Sequence, residues 1–259
     1  KQVKRIYRIN QSIVQSKKIK MTVLVLGASG ATGSKLVEQL LIQKHKVKVI
    51  VRSPEKLPKS WKTNDNLQII SASLLELSGK ELSEIVHDCN AVASCLGHNL
   101  TWKGVYGQPR KLVTDATQRL CDAIKSNNLQ SPTKFVLMNT TGNRNRDVYE
   151  PISFAQKCVI GLLRLLLPPH VDNEKAADYI RTQIGQKNTS IEWVAVRPDG
   201  LINEEEVTDY EIHPSPTRSA IFNAGKVSRI NVGHFMASLI TNDDLWTKWK
   251  GQMPVIYSK

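Results

Sequence analysis

A glycine-rich turn between a predicted strand and a predicted helix is the feature that most constrains the fold of this chain. The strand is the short apolar and β-branched run TVLVL at Thr22–Leu26, which stops at Gly27. A helical pattern starts just after Ala31, and a second β-branched run, VKVIV, occupies residues 47–51. A strand, turn, helix and strand at this spacing form a βαβ unit, whose crossover helix covers one face of a parallel sheet.

The same alternation continues along most of the chain. Further strands are predicted at residues 67–71, 91–96, 134–138 and 191–196, and further helices at residues 79–87, 110–127, 153–167, 173–186 and 232–240. Pro168 and Pro169 separate two of these helices, because proline cannot continue the first one. We therefore predict an α/β fold with a doubly wound parallel sheet (Rossmann fold) of at least six strands and a small C-terminal elaboration.

The domain organisation follows from where this alternation weakens. Residues 203–224 form a polar stretch with two prolines, which is typical of a binding loop or a lid over the carboxyl edge of the sheet. No internal repeat or linker interrupts the chain. We predict one domain with this fold over residues 21–259, with substrate-side elements at about 140–180 and 198–230.

The net charge of +13 is concentrated at the start of the chain. Residues 1–20 carry seven basic residues and no acid, and the remainder carries a formal charge of +6. We expect residues 1–20 to be a basic extension before a start at Met21, disordered or artificially added, while the missing acids also fit a transit peptide. This segment is left out of the fold prediction.

Composition excludes several classes of protein. The basic residues after Met21 are scattered and do not interleave with aromatic residues, which argues against nucleic-acid binding. No apolar run reaches the roughly 18 residues of a membrane span. Cys89, Cys95, Cys121 and Cys158 show no metal-ligand spacing, so we expect no metal and four reduced, buried thiols in a cytoplasmic protein.

The glycines of the first turn suit a phosphate site. Gly27, Gly30 and Gly33 have the spacing G-x-x-G-x-x-G, directly before the first helix. Glycine permits a tight turn and a close backbone approach, and the free N–H groups of a helix N-terminus attract an anion. The turn therefore predicts a pyrophosphate site for a dinucleotide.

The end of the second strand indicates which dinucleotide is bound. An acid at that position accepts hydrogen bonds from a ribose 2′-hydroxyl, but here the chain has Arg52 and Ser53. A guanidinium pairs with a 2′-phosphate instead. We therefore predict NADP in preference to NAD.

Three segments carry a family resemblance. GASGATG follows TVLVL, VRS closes the second strand, and EWVAVRPDGL comes after Lys175. Together they resemble the atypical short-chain dehydrogenase/reductase superfamily, and specifically its NmrA-like, NAD(P)H-binding group, which is similar to biliverdin reductase B. The resemblance extends from Met21 to about residue 250.

The resemblance implies a set of cofactor-binding residues at the ends of the strands. These are Gly27, Ser29, Gly30, Ala31, Thr32 and Gly33 for the pyrophosphate; Arg52 and Ser53 for the 2′-phosphate; Ser73 and Leu74 for the adenine; Cys95, Leu96 and Gly97 after the fourth strand; Asn139, Thr140 and Lys175 beside the nicotinamide and its ribose; and Arg197 and Pro198 closing the nicotinamide side.

The usual catalytic pair of the superfamily is missing. Its members use a Tyr-x-x-x-Lys pair, in which the tyrosine passes a proton to the substrate oxygen. No tyrosine of this chain is followed by lysine at that spacing, and Val171 lies four residues before Lys175. We take Thr140, Lys175 and His170 as the candidate catalytic residues, and His98 competes with His170 as an acid near neutral pH.

Two functions fit this pattern. The first is an NADPH-dependent reductase of a small conjugated acceptor, such as a flavin, a quinone or a tetrapyrrole, which needs no tyrosine acid. The second is a non-catalytic, NADP(H)-sensing regulatory protein of the NmrA type. The apolar run at residues 159–167 is interpreted as core, with a pocket roof or a homodimer contact as alternatives.

Overall fold

A computed structural model describes residues 20–98 and 101–259 of the chain. Apart from Lys20, the predicted basic extension lies outside the described residues. Within the described part, no helix combines the length and the apolar character that a membrane crossing requires.

Most strands belong to one eight-stranded sheet. Its strands are β1 (Thr22–Leu26), β2 (Lys46–Val51), β3 (Leu67–Ser71), β4 (Ala91–Ser94), β5 (Thr133–Met138), β6 (Ile191–Pro198), β8 (Tyr210–His213) and β10 (Val255–Ser258). Their spatial order is β3-β2-β1-β4-β5-β6-β10-β8. All neighbours are parallel except β8, which pairs antiparallel with β10. Two short parallel strands, β7 (Gly200–Ile202) and β9 (Lys226–Ser228), form a separate ribbon.

Helices cover both faces of this sheet. They are α1 (Ala31–Ile42), α2 (Lys59–Lys62), α3 (Gly79–Val86), α4 (Trp102–Tyr106), α5 (Leu112–Ser126), α6 (Phe154–Leu166), α7 (Pro168–Tyr179), α8 (Arg229–Thr241) and α9 (Asp243–Trp249). Residues of α1, α8 and α9 share one core with one sheet face, and residues of α3, α5 and α7 share a second core with the opposite face. The predicted doubly wound α/β fold is confirmed.

The strand order explains where a ligand can enter. The chain runs outward from β1 to β3, then returns to β4 on the other side of β1. The loops that follow β1 and β4 therefore leave the sheet in opposite directions and open a crevice at its carboxyl edge. The turn at Gly27 follows β1 and lies at this switch point.

The boundary between α6 and α7 differs from the prediction. The second helix begins at Pro168, not at residue 173, and Pro168 and Pro169 occupy its first turn. Proline is well tolerated there because the first N–H groups of a helix have no intrahelical partner. The same two residues that end α6 therefore start α7.

Two expectations about buried residues are also corrected. In α6, Ile160 is buried, but Leu162, Leu165 and Leu166 are at least half exposed, so the core interpretation of residues 159–167 is wrong for most of the run. Cys158 is exposed, whereas the other three cysteines are buried. One side of α6 alone reaches the protein interior, so a continuous apolar run there leaves several side chains in solvent.

The polar segment after β7 and the C-terminus contain structure that the sequence pattern did not predict. Tyr210–His213 forms β8 within the expected loop, and Val255–Ser258 forms β10. Only two residue pairs join β10 to β6. Short strands of this kind depend on sheet neighbours rather than on their own periodicity, which hides them from sequence patterns.

Gly233 lets α8 pack closely on α1. A Cβ atom at this position would lie 2.8 Å from the Leu36 backbone nitrogen and 2.9 Å from the Lys35 carbonyl carbon. Both are backbone atoms, which cannot rotate away. The contact between the two helices therefore requires a residue without a side chain.

We expect Gly233→Ala to lower the free energy of unfolding by about 1–3 kcal/mol, the usual cost of overpacking a core. Gly161→Ala on α6 is the matched control, because a Cβ there meets no atom within 4 Å. That change should raise stability by about 0.5–1 kcal/mol, since alanine favours a helix interior over glycine. Urea unfolding measures both, and a Gly233→Ala protein as stable as the parent would contradict the packing argument.

Candidate functional site

The turn after β1 is tight enough to require glycine. Gly27 has a φ of +74°, and a Cβ atom there would lie 2.5 Å from the Cys95 carbonyl oxygen after β4. A Cβ on Gly33 would overlap the Gly27 carbonyl oxygen. The backbone of the turn is thus pressed against both the next helix turn and the neighbouring strand end.

The N-terminus of α1 keeps its N–H groups available. Gly30 is the N-cap residue, no side chain caps the helix, and the first turn contains no acid. Ser29, Gly30 and Ala31 are exposed, whereas Thr32 and Gly33 are buried. Uncapped N–H groups and the positive end of the helix dipole together favour an anion, and the pyrophosphate site at this turn stays a prediction.

Arg52 directly follows β2 at the same edge of the sheet. Its side chain is exposed, and no hydrogen bond or ion pair to another described residue involves it. Ser53 is partly exposed and begins a 3₁₀ turn at Pro54–Lys56. Since β2 is the direct neighbour of β1, this free guanidinium lies on the side where a bound ribose would follow the pyrophosphate.

The ends of β3 and β4 supply mostly apolar walls. Leu74 is buried and Ser73 is partly buried, and the Ser73 carbonyl accepts backbone hydrogen bonds from the turn that follows. Burial raises the pKa of the Cys95 thiol to about 12, so it stays protonated. Leu96 is half-buried and Gly97 is exposed. These positions offer surface contact to a ligand rather than reactive groups.

The loop after β5 is organised by Asn139. Its side-chain oxygen accepts hydrogen bonds from the Thr140 backbone N–H at 2.9 Å and from Asn143 Nδ2 at 2.5 Å. Its Nδ2 donates to the Asn173 carbonyl at 2.9 Å and so ties the loop to α7. With both ends of the amide engaged, Asn139 fixes the position of Thr140 in the loop.

Thr140 retains a free hydroxyl proton. Its Oγ1 accepts a hydrogen bond from the Gly142 N–H at 3.3 Å, as expected for a hydroxyl that stabilises a turn. Accepting this bond leaves the O–H available as a donor. The Thr140 hydroxyl can therefore stabilise the turn and also contact a ligand.

On α7 the position of the usual tyrosine holds a half-buried valine. Val171 has no proton to donate, and Lys175, one turn further, is exposed without an ion pair to any described residue. The geometry leaves the Lys175 amine free to contact a ribose. Because position 171 is a valine, there is no tyrosine at that position whose pKa the Lys175 amine could lower.

His98 is held by a buried carboxylate that the sequence did not single out. Its Nε2 lies 2.8 Å from Asp172 Oδ2, and Asp172 also accepts the backbone N–H groups of Val113 and Thr114 at the start of α5. Since the carboxylate only accepts in this arrangement, His98 donates through Nε2. Asp172 thereby fixes the orientation of the imidazole after β4.

His170 lies next to a second carboxylate. Its Nε2 is 3.6 Å from Glu174 Oε1, and Glu174 accepts two hydrogen bonds at 2.8 Å from Arg164. Partial burial raises the pKa of Glu174, but the hydrogen bonds from His170 and Arg164 outweigh that effect and lower the pKa to about 2. Glu174 therefore stays ionised at neutral pH.

Arg197, near the end of β6, is engaged within the protein. It is fully buried and binds both carboxylate oxygens of Glu150, at 2.7 and 3.0 Å. It also donates to the carbonyls of Asn143, Pro214 and Met253. All five N–H groups are thus used within the protein, so this side chain positions the loops around the site. Pro198 follows it as the last residue of β6 and is also buried.

Removing the Arg197 guanidinium should leave a buried, unpaired carboxylate. We expect Arg197→Met to lower the free energy of unfolding by about 3–5 kcal/mol. Arg164→Met is the matched control: it removes a guanidinium that also binds a carboxylate twice but is 45% exposed, and it should cost less than about 1 kcal/mol. Urea unfolding compares the two, and equal losses would refute the role assigned to Arg197.

Comparisons with known proteins agree with this geometry. Residues 27–243 match a protein family described as NAD(P)H-binding. The chain is 30% identical over 210 residues to an uncharacterized chloroplastic protein of Arabidopsis thaliana. The aligned region covers 80% of this chain and 67% of that protein.

Solved structures share the fold. An oxidoreductase from Lactococcus lactis, ylbE, has a TM-score of 0.65 at 14% identity and covers 92% of this chain and 91% of its own. A short-chain dehydrogenase/reductase from Veillonella parvula in complex with NADP has a TM-score of 0.66 at 16% identity. The aligned region covers 93% of this chain and 95% of that protein. A Streptococcus pneumoniae protein proposed to be an NADH-flavin reductase has a TM-score of 0.62 at 17% identity. The aligned region covers 92% of this chain and 100% of that protein.

At these identities the solved structures establish the fold alone, and the family follows from the match over most of the chain. With the glycine turn at the switch point and the uncapped start of α1, that match identifies the chain as a member of the NAD(P)H-binding family.

Proposed function

We propose that this protein is an NADPH-dependent reductase of a small conjugated acceptor. The observation that carries the proposal is the turn after β1, where Gly27 and Gly33 bring the backbone close to the uncapped N-terminus of α1. The residues fit a dinucleotide: the exposed N–H groups at the start of α1 would bind the pyrophosphate, and the walls after β3 and β4 are largely apolar. When bound there, NADPH supplies a hydride.

A preference for NADP over NAD is part of this proposal. Arg52 is exposed and has no partner among the described residues, and no acid stands at the end of β2 to bind a ribose 2′-hydroxyl. A guanidinium gains a charge-assisted hydrogen bond only when the 2′-phosphate is present. The NADP complex of the Veillonella parvula relative agrees with this choice.

The remaining cofactor contacts follow the strand ends. Ser73 and Leu74 would flank the adenine, Cys95 to Gly97 would line the ribose side, and Asn139 would place Thr140 beside the nicotinamide. Lys175 would hold the nicotinamide ribose with its free amine. Residues 140–180 and 198–230 would form the substrate side of a single domain.

The missing tyrosine limits the chemistry. Because Val171 cannot donate a proton, a simple ketone would depend on Thr140, His170 or His98 for protonation of the developing alkoxide. A flavin, a quinone or a tetrapyrrole instead delocalises the charge after hydride arrival and takes its proton from water. The fold similarity to a protein proposed to be an NADH-flavin reductase supports this class of acceptor.

A sensor of NADP(H) is the second candidate. The observation that favours it is the absence of an acid from the position of Val171, since a regulatory protein needs cofactor binding without turnover. Cofactor binding is common to both functions, so only turnover separates them.

Several finer predictions belong to this proposal as well. They are the similarity to biliverdin reductase B, a homodimer, a cytoplasmic location and a small molecule as the partner. The Arabidopsis thaliana relative is chloroplastic, which adds the chloroplast as a second location to examine.

The preference for NADP(H) is tested at Arg52. We expect Arg52→Ala to lose most of the selectivity, about 1.5–3 kcal/mol for a hydrogen bond to a charged group. Affinity for NAD(H) serves as the internal control and should not change. Calorimetric titration measures both cofactors, and equal affinities in the unmodified protein would refute the assignment.

Turnover with a panel of acceptors tests the proton source. With a flavin or a quinone, His170→Ala and His98→Ala should each lower the rate of NADPH oxidation less than tenfold, because a true general acid contributes about 10²- to 10⁴-fold. Thr140→Ala and Lys175→Ala should weaken cofactor binding. Efficient ketone reduction that collapses in either His variant would reveal a fixed acid, and tight NADPH binding without any turnover would favour the sensor.

A further inference from the structure

A cavity adjoins the loop that carries Thr140. Its volume is about 280 Å³, and its lining is formed by Gly142, Arg144, Ile152, Lys157, Ile160 and Arg164. These residues belong to the loop after β5 and to α6. The cavity therefore opens on the substrate side of the carboxyl edge.

Gly142 connects this cavity to the proposed nicotinamide position. A Cβ atom built on Gly142 would lie 3.5 Å from His170 Cε1 and 3.7 Å from Thr140 Oγ1. The cavity wall and the two candidate proton donors are thus in van der Waals reach of one another. A ligand in the cavity would lie next to the place where a hydride is delivered.

The cations that line the cavity are not equally neutralised. Arg164 is bound twice by Glu174 at 2.8 Å. The side chains of Arg144 and Lys157 make no ion pair or hydrogen bond with any residue in the described ranges, and both are exposed. Two positive charges therefore stand free beside the cavity.

The acidic residues near the cavity do not neutralise the charges of Arg144 and Lys157. A second cavity of about 210 Å³ shares Arg144 and Arg164 with the first, and its acidic lining residues are Glu174 and Asp178. Asp178 is 3.0 Å from Arg146 and 3.1 Å from Arg181. Because each of these carboxylates already has a guanidinium partner, the field in the cavity is positive.

His170 lies at the α7 side of the cavity. Its side chain is 11% exposed, and its Nε2 is 3.6 Å from Glu174 Oε1, so this ring is oriented by the carboxylate that also binds Arg164. The same ring lies against Gly142.

We propose that this cavity is the acceptor subsite and that the acceptor carries an anionic group. Arg144 and Lys157 bind a carboxylate or a phosphate, and Ile152 and Ile160 contact the apolar body of the molecule. The inference rests on the proposed reductase function, which it deepens by assigning the acceptor to the class of planar, conjugated anions.

Equilibrium binding in the presence of saturating NADP⁺ tests the charge requirement without relying on turnover. The phosphate probe is FMN against riboflavin, and the carboxylate probe is anthraquinone-2-carboxylate against 2-hydroxymethylanthraquinone. We expect at least one anion to bind about tenfold more tightly than its neutral counterpart, as charge-assisted contacts provide. The pair that shows the advantage identifies the anionic group.

Charge-removing variants then locate the effect. Arg144→Gln and Lys157→Gln should each reduce the advantage of the anion to about threefold or less and leave the affinity for the neutral probe unchanged, because only the charged contact is removed. Lys187→Gln is the matched control: Lys187 is exposed and lies just before β6, at the opposite edge of the sheet, so the advantage should persist.

The outcomes separate the two proposals. Equal affinities for the charged and neutral probes, or no binding of any probe, would overturn the anionic subsite even if NADPH binds and is oxidised. Discrimination that disappears in the Arg144 and Lys157 variants supports the subsite, whether or not turnover is found. Failure of NADPH itself to bind, measured separately by its fluorescence, would refute the proposed reductase function alone.

Discussion

One buried ion pair fixes the side of the sheet where the candidate site lies. Arg197 at the end of β6 is satisfied only when Glu150 and the carbonyls of Asn143, Pro214 and Met253 converge on it. Those groups belong to the loop after β5, the segment before β9 and the segment before β10. Because a buried guanidinium left without its partners costs several kcal/mol, the three segments are held in one arrangement, and the Thr140 loop is part of it.

The fold could be predicted from the sequence because its signals are local. The first strand, the glycine turn and the first helix are adjacent, and each has a recognisable composition. The structure also requires glycine at two positions of the turn, because neighbouring backbone atoms leave no room for a side chain on Gly27 or Gly33. Boundaries were less predictable: the start of α7 depends on Pro168 entering a first helical turn, and β10 depends on its sheet neighbours.

The candidate site was only partly predictable because its organising contacts are distant in sequence. Arg197 was recognised as a site residue, but its partner Glu150 is 47 positions away, and no spacing rule connects them. Asp172, which orients His98 across 74 positions, carried no signal because an acid on a helix is usually solvated. Sequence patterns located the strand ends that form the site, whereas burial decided which side chains position the loops.

Charge and proton supply point to the same kind of reaction. On α7, Val171 takes away the fixed acid of related enzymes, and Glu174, ionised at neutral pH, is committed to Arg164. Without an acid at position 171, the proposed reductase would favour acceptors that hold negative charge after reduction. The positive field from Arg144 and Lys157 would favour the same acceptors, because it stabilises the more negative product and attracts an anionic substrate from solution. In the proposed reductase, this positive field would thus supply part of the charge stabilisation that the tyrosine supplies in the superfamily that the sequence resembles.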